Sequence, residues 1–282
     1  MTRNTVIIAG AELIHAGMAA ALRDVVDRTD TGVFNSWAAK GLFPWDHPAH
    51  LGTIGLQADD IALCELSTFD DVVLCGVSND ELARAALTAA HVQWRDVAPS
   101  ELAAHTFPVR ATPTQRPALF DAIAAVCSPM YADDALPASP ARAAADMSRE
   151  LPTGGVVCGD ADRCGFWLGR TFPTRQLGSV VLPTKVTPGF AATQAAMARR
   201  SGRFAVAIVD GLDTATQSVM SHVNELVIEV WSDDGPRRSS HERLEQLRAA
   251  HERGGVQVVE LGVRFTDIAF LIAVAGAPRW HS

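Results

Sequence analysis

Tyrosine occurs once in the 282 residues, and no apolar run approaches the ~20 residues that a membrane-spanning helix needs. The longest apolar runs, Phe204–Val209 and Ile268–Ala275, are strand-sized. The N-terminus has one Arg before a short apolar run that ends at Gly10, and it lacks the long apolar stretch of a signal peptide. A cytoplasmic location is therefore expected. Basic residues are in deficit: 24 Lys and Arg face 32 Asp and Glu, a net charge of −8. The pairs Arg199-Arg200 and Arg237-Arg238 are isolated and form no stripe. This argues against a nucleic-acid surface, which needs an excess of positive charge. The five cysteines (Cys64, Cys75, Cys127, Cys158, Cys164) are odd in number and scattered, which argues against a disulfide framework. Cys158 and Cys164 have no second Cys or His pair at zinc-finger spacing. There is no G-x-S-x-G elbow to anchor a hydrolase triad. Nor is there a G-x-G-x-x-G turn: after the first apolar run only Gly10 and Gly17 remain, with Glu12 between them. A plain turn from strand to helix is expected there.

What is present is an ordinary globular composition, 48% hydrophobic and 20% charged. Short apolar runs alternate with helical segments. Thr5–Ala9 and Asp71–Cys75 read as strands, followed by helices at Gly17–Asp27 and Leu82–Ala90, and Pro117–Val126 reads as helical. Ser128–Met147 turns small and polar, with three Pro, and reads as a linker. The rhythm then restarts. Gly155–Cys158, Phe204–Val209, Leu226–Val230 and Val256–Leu261 read as strands, Gly189–Arg200 and His241–Glu252 as helices. The expectation is an α/β fold: two Rossmann-like domains with mainly parallel sheets, at 1–128 and 148–282, joined by a linker at 129–147.

The segment Phe34–Gln57 is too rich in Gly and Pro for a helix and too aromatic for a flexible loop. His47 and His50 invite a metal reading. Pro48 between them disfavours an aligning helical turn, and no carboxylate is placed as a third ligand. Packing is the better reading, with Trp37, Phe43 and Trp45 expected to be buried. Here the sequence becomes recognisable. Phe34-Asn35-Ser36-Trp37-Ala38-Ala39-Lys40-Gly41, then Pro44, Asp46-His47-Pro48 and Leu51-Gly52-Thr53-Ile54-Gly55, resembles the central domain of thiamine-diphosphate-dependent enzymes of the acetolactate synthase and benzoylformate decarboxylase type.

The second half resembles the same superfamily's diphosphate-binding domain, in a shortened and divergent form. Asp160 to Trp167 sits where the family reads D-x-G-x-H-x-x-W, and Phe172-Pro173-Thr174 follows. Pro188-Gly189-Phe190-Ala191 resembles the end of the turn that opens a helix. Val209-Asp210-Gly211 and Trp231-Ser232-Asp233-Asp234-Gly235 resemble the two ends of the metal motif. The resemblance implies thiamine diphosphate and Mg²⁺ as cofactors, held by Gly189, Asp210, Gly211, Asp233 and Asp234, with Asp210 and Asp233 on the metal. Mg²⁺ is a hard ion that takes oxygen ligands, which these side chains would supply at a strand edge. Several residues depart from the family's pattern. Val209 replaces a glycine, Asp233 and Asp234 replace an asparagine pair, Cys164 stands for a histidine and Asp162 for a glycine. Lys185-Val186-Thr187-Pro188 stands where small glycines are needed. The resemblance begins at the central domain, so a pyrimidine-binding domain and its glutamate would come from a partner chain. No catalytic residue is assigned. The functional expectation is a subunit of a split 2-oxo acid decarboxylase or carboligase, inactive alone and found as a homo-oligomer or with a separately encoded pyrimidine-domain subunit. The alternative is a non-catalytic relative that binds or scaffolds. A nucleotide-dependent redox protein is a distant third.

Overall fold

In the computed structural model, which describes residues 4–109 and 115–280, the chain divides into two units. One lies within Met1–Ala124 and Ile272–Arg279, the other within Ala125–Leu271 and Trp280–Ser282. Each is built on its own five-stranded sheet. Among the described residues no helix is long and apolar enough to cross a membrane.

The first unit opens with β1 (Thr5–Ala9), α1 (Glu12–His15), α2 (Ala19–Thr29), β2 (Gly32–Ser36) and β3 (His50–Ile54). It continues through α3 (Asp60–Leu63), β4 (Asp71–Cys75), α4 (Leu82–Ala89) and β5 (Arg95–Val97) to α5 (Ala118–Ala132), which carries the chain into the second unit. The strands order as β3-β2-β1-β4-β5, all parallel. A parallel sheet covered on both faces needs apolar residues on both, hence the unbroken runs TVIIA and DVVLC. Ile7, Ala9, Val33 and Val73 enter one core with α2, while Val6, Ile8, Phe34 and Leu74 enter the other with α4.

The segment Phe34–Gln57 is largely buried and supplies the end of β2 and all of β3, which the sequence alone does not separate. Trp37 and Phe43 are buried as expected. Trp45 is not: it is 38% exposed, beside Pro44 and Asp46 in a turn at the surface.

The second unit continues with α6 (Pro140–Glu150), β6 (Val156–Gly159), α7 (Arg163–Thr171), β7 (Val180–Val181), α8 (Phe190–Arg200) and β8 (Ala205–Val209). It ends with α9 (Thr214–His222), β9 (Leu226–Ser232), α10 (Ser240–Arg253), β10 (Val256–Gly262) and α11 (Ile268–Ala275), whose last turn falls in the first unit. The order is β10-β9-β8-β6-β7, again all parallel. α8 buries an alanine stripe (Ala191, Ala192, Ala195, Ala196) against β6 and β8, where small side chains let the helix sit close to the sheet. α10 starts with a capping box, Ser239 Oγ accepting from the Glu242 amide and Glu242 accepting from the Ser239 amide.

A further sequence expectation is corrected. The stretch expected as a linker holds the end of α5 and most of α6. Pro140 takes a helix's first turn, where its missing N–H costs nothing, and Ala141, Ala143, Ala144 and Ala145 are buried. Ile268–Ala275, strand-sized by length, forms a helix; an eight-residue run without polar punctuation carries no readable period.

Candidate functional site

In the second sheet the chain leaves β6 toward β7 on one side, then returns to place β8 on the other. The switch point therefore lies between β6 and β8, and ligands of open parallel sheets bind outside the carboxyl ends of such strands. A cleft of about 470 Å³ lies there. Its walls come from Asp160–Asp162 after β6, Val186–Gly189 before α8, and Val209–Asp213 after β8, with Thr216 on α9. The sequence-predicted Gly189, Asp210 and Gly211 come together in this cleft. Asp233 and Asp234 are exposed and lie outside its lining. Gly189 has φ +68°, and a Cβ there would meet the Ala215 backbone at 3.2 Å, so the tight entry to α8 requires glycine.

Helix α7, α8 and α9 all begin at this cleft, and each start is met by a carboxylate of the chain itself. Asp162 caps α7 through the Gly165 amide at 2.9 Å. Asp213 caps α9 through the Thr216 amide at 2.7 Å. Asp160 Oδ1 accepts from the Ala191 amide of α8 at 2.8 Å. Helix N-termini attract anions, and here that capacity is met internally. The crowding is visible in protonation. Burial, then the charge of Asp210, raises Asp162 from the usual carboxylate value to about 7. Asp160 is raised too, by burial, against the stabilising Ala191 amide and with the charges of Asp213 and Asp210 adding to the rise.

Arg163, the first residue of α7, joins the predicted metal pair. Its Nε lies 3.4 Å from Asp210 Oδ2, and its Nη1 donates to Asp233 Oδ2 at 3.2 Å. The guanidinium lies 4.0 Å from the Phe265 ring centroid. Sequence reasoning passed over Arg163; its one local signal is its place behind Asp160 and Asp162. Asp213 was also missed, although an Asp directly before a helical segment is a favoured N-cap. Cys164, where the resemblance places a histidine, is fully buried, and burial pushes its thiol well above the ordinary range.

The first unit has its own switch point, between β1 and β4, and it is closed. The Gly10 amide donates to Cys75 O at 2.9 Å, and a Cβ on Gly10 would lie 2.2 Å from Gly76 O. The buried Glu81 carboxylate takes the donors an anion would use: the Ala11 amide at 3.3 Å, the Ser78 amide at 2.9 Å and the Ser36 hydroxyl. Nearby, His50 Nε2 and Asn35 Oδ1 are 2.8 Å apart. Burial, helped by the Lys40 charge, holds His50 down to about 3, so it is neutral. His47 faces elsewhere, its Nδ1 accepting from the Ala49 amide. The two histidines thus serve packing. Among the described residues no three His, Cys, Asp or Glu side chains are grouped to share a metal ion.

Residues 2–112 match the family model of the thiamine pyrophosphate enzyme central domain. Over those residues the first unit is similar to that domain. That match ties the first unit, by similarity, to the thiamine-diphosphate-dependent enzyme superfamily. A solved structure from Mycobacterium smegmatis, assigned as a thiamin diphosphate-dependent enzyme, is similar over 93% of this chain at 16% identity, with a TM-score of 0.66. The likeness covers 62% of that chain's length, and at this identity it concerns the fold. No curated protein sequence matches the chain.

The superfamily suggests thiamine diphosphate, so the second unit's cleft can be tested against it. A diphosphate needs backbone donors and positive charge. Here the Ala191 amide is already taken by Asp160, and the cleft lining holds four Asp with no Lys or Arg. The pair that would hold Mg²⁺ is bound to Arg163. In this arrangement the residues present do not fit a magnesium diphosphate.

Proposed function

We propose that this chain is a thiamine-diphosphate-enzyme-like subunit that serves as a binding or scaffolding component rather than as the seat of cofactor chemistry. The observation that carries the reading is the Asp160 carboxylate on the Ala191 amide, 2.8 Å away. It fills the donor at the α8 start with negative charge from the chain itself, inside a lining that has no cationic side chain. Fold is inherited more readily than chemistry, so a superfamily fold is compatible with this role.

A second reading keeps the chemistry. The cleft remains open at the switch point and still brings Gly189, Asp210 and Gly211 together. On that reading the chain is a subunit of a split 2-oxo acid decarboxylase or carboligase. A pyrimidine-binding domain from a partner chain would supply a glutamate and cover the cleft.

Calorimetric titration of thiamine diphosphate with Mg²⁺ separates the two. The scaffolding reading expects no saturable heat, with or without a pyrimidine-type partner. Saturable binding that is lost in Asp210→Ala would replace it with the split-enzyme reading.

A further inference from the structure

Asp210 and Asp233 follow neighbouring parallel strands. The register pairs Val209 with Val230, which puts the ends of β8 and β9 side by side at the carboxyl edge. Two exposed carboxylates there would repel each other unless a cation lay between them. The chain supplies one. Arg163 reaches both, at 3.4 Å and 3.2 Å, and its flat guanidinium rests on Phe265. Only the Nη1 contact is aligned as a hydrogen bond; the Nε contact to Asp210 is a charge contact without that alignment.

We infer that Arg163 is the resident cation of this carboxylate pair, occupying the position from which a divalent metal ion would bridge Asp210 and Asp233 and so closing the pair to metal. A hard ion such as Mg²⁺ requires oxygens at ~2.0–2.1 Å in a near-octahedral shell. Here an incoming ion must first displace a guanidinium that cannot give up its proton and that carries like charge. The arginine is tethered and local, so it competes at a high effective concentration. The inference extends the scaffolding reading to the metal position, but its test involves no thiamine diphosphate and can fail alone.

The test is Mn²⁺ binding to the whole chain, read from the loss of the free-ion electron paramagnetic resonance signal. The wild-type protein is expected to leave the signal unchanged, as is Arg163→Lys, which keeps a charge in place. Arg163→Gln is expected to bind one Mn²⁺ at least about tenfold more tightly than wild type, a change the added Asp210→Asn removes. Wild-type binding that depends on Asp210 would overturn the inference, and so would an Arg163→Gln protein that binds no better than wild type. The wild-type chain gives a reading that needs no variant: the Nε–H resonance of Arg163 should not move with Mg²⁺. A saturable shift of that resonance would also overturn the inference.

Discussion

Glu229 on β9 and Arg243 on α10 face each other in the interior of the second unit, with Nε to Oε1 and Nη2 to Oε2 both at 2.6 Å and neither side chain reaching solvent. Nothing polar is left over between them. The third guanidinium nitrogen donates to Ala143 O at 2.7 Å, and Trp231 Nε1 donates to Glu229 Oε2 at 2.9 Å. The pair ties β9, α10 and α6 together by its geometry. Removing one partner leaves a buried charge without its counter-ion, which typically costs about 3–5 kcal/mol. Arg243→Met and Glu229→Leu should each show a loss of that order in urea unfolding. The double variant should recover most of it, because two apolar groups leave no charge behind. Additive losses would show that the two residues are not coupled.

Closing of the first unit's switch point gives a second prediction. Glu81→Gln keeps an acceptor for the Ala11 and Ser78 amides and should cost little. Glu81→Ala leaves buried donors unpaired, at about 1–3 kcal/mol. Gly10→Ala should be worse than either, because its new methyl would collide with the Gly76 carbonyl and the Val77 Cα, neither of which can swing aside. Thermal unfolding of the three variants ranks them. A Gly10→Ala protein as stable as wild type would mean that the turn relaxes.

Much of this frame is legible in the sequence, and the gaps have physical causes. β1, β4 and β8 announce themselves because a strand covered on both faces has no polar residue to break its run. β2 and β3 do not, because Asn35, Ser36, His50 and Thr53 are polar residues that satisfy one another or Glu81 inside the fold. Their partners are known only once the chain is folded. α6 was hidden by its Pro, Ala and Asp content, a linker's composition that the buried Asp146 explains: it pairs with Arg142 at 2.9 Å and Arg149 at 3.1 Å. At the candidate site Gly189, Asp210 and Gly211, named from the sequence, line one cleft. The sequence does not show Arg163 between Asp210 and Asp233, because no short-range pattern marks a contact made across three strand ends.

The acidic cleft makes a prediction about pH. Asp162 has its folded value raised to about 7, against 3.8 for the ordinary group, chiefly by burial and then by Asp210. Between those limits the folded chain holds a proton that the unfolded chain has lost. This group therefore favours folding at the acid end, and that contribution is lost as pH rises through about 7. The slope is at most about 1.4 kcal/mol per pH unit for one proton. Asp162→Asn retains a good N-cap and removes the titration. Its stability should be flatter than wild type from pH 4 to pH 7 and higher above pH 7, as measured by denaturant midpoints. Parallel curves for the two proteins would show that Asp162 is not the group responsible.

Asp160 offers the most direct test of why the cleft rejects a diphosphate. The N-terminus of α8 is oriented as an anion site, with Gly189 in the conformation that lets the backbone approach. What blocks it is the carboxylate already bonded to the Ala191 amide. Asp160→Ala frees that donor and removes one negative charge from the lining. The lost cap-like bond should lower stability by about 0.5–2 kcal/mol. In exchange, the variant should gain saturable binding of inorganic diphosphate that the wild-type chain lacks. The gain should fall steeply as salt is added, since it rests on a helix terminus and partly screened charges. Asp160→Asn is the control: its amide oxygen can still accept from Ala191, so the charge is gone but the donor stays occupied. If Asn and Ala variants bind diphosphate equally, charge alone excludes the anion. If only the Ala variant binds, the occupied amide is the barrier, and wild-type binding as tight as that of the Ala variant would refute both.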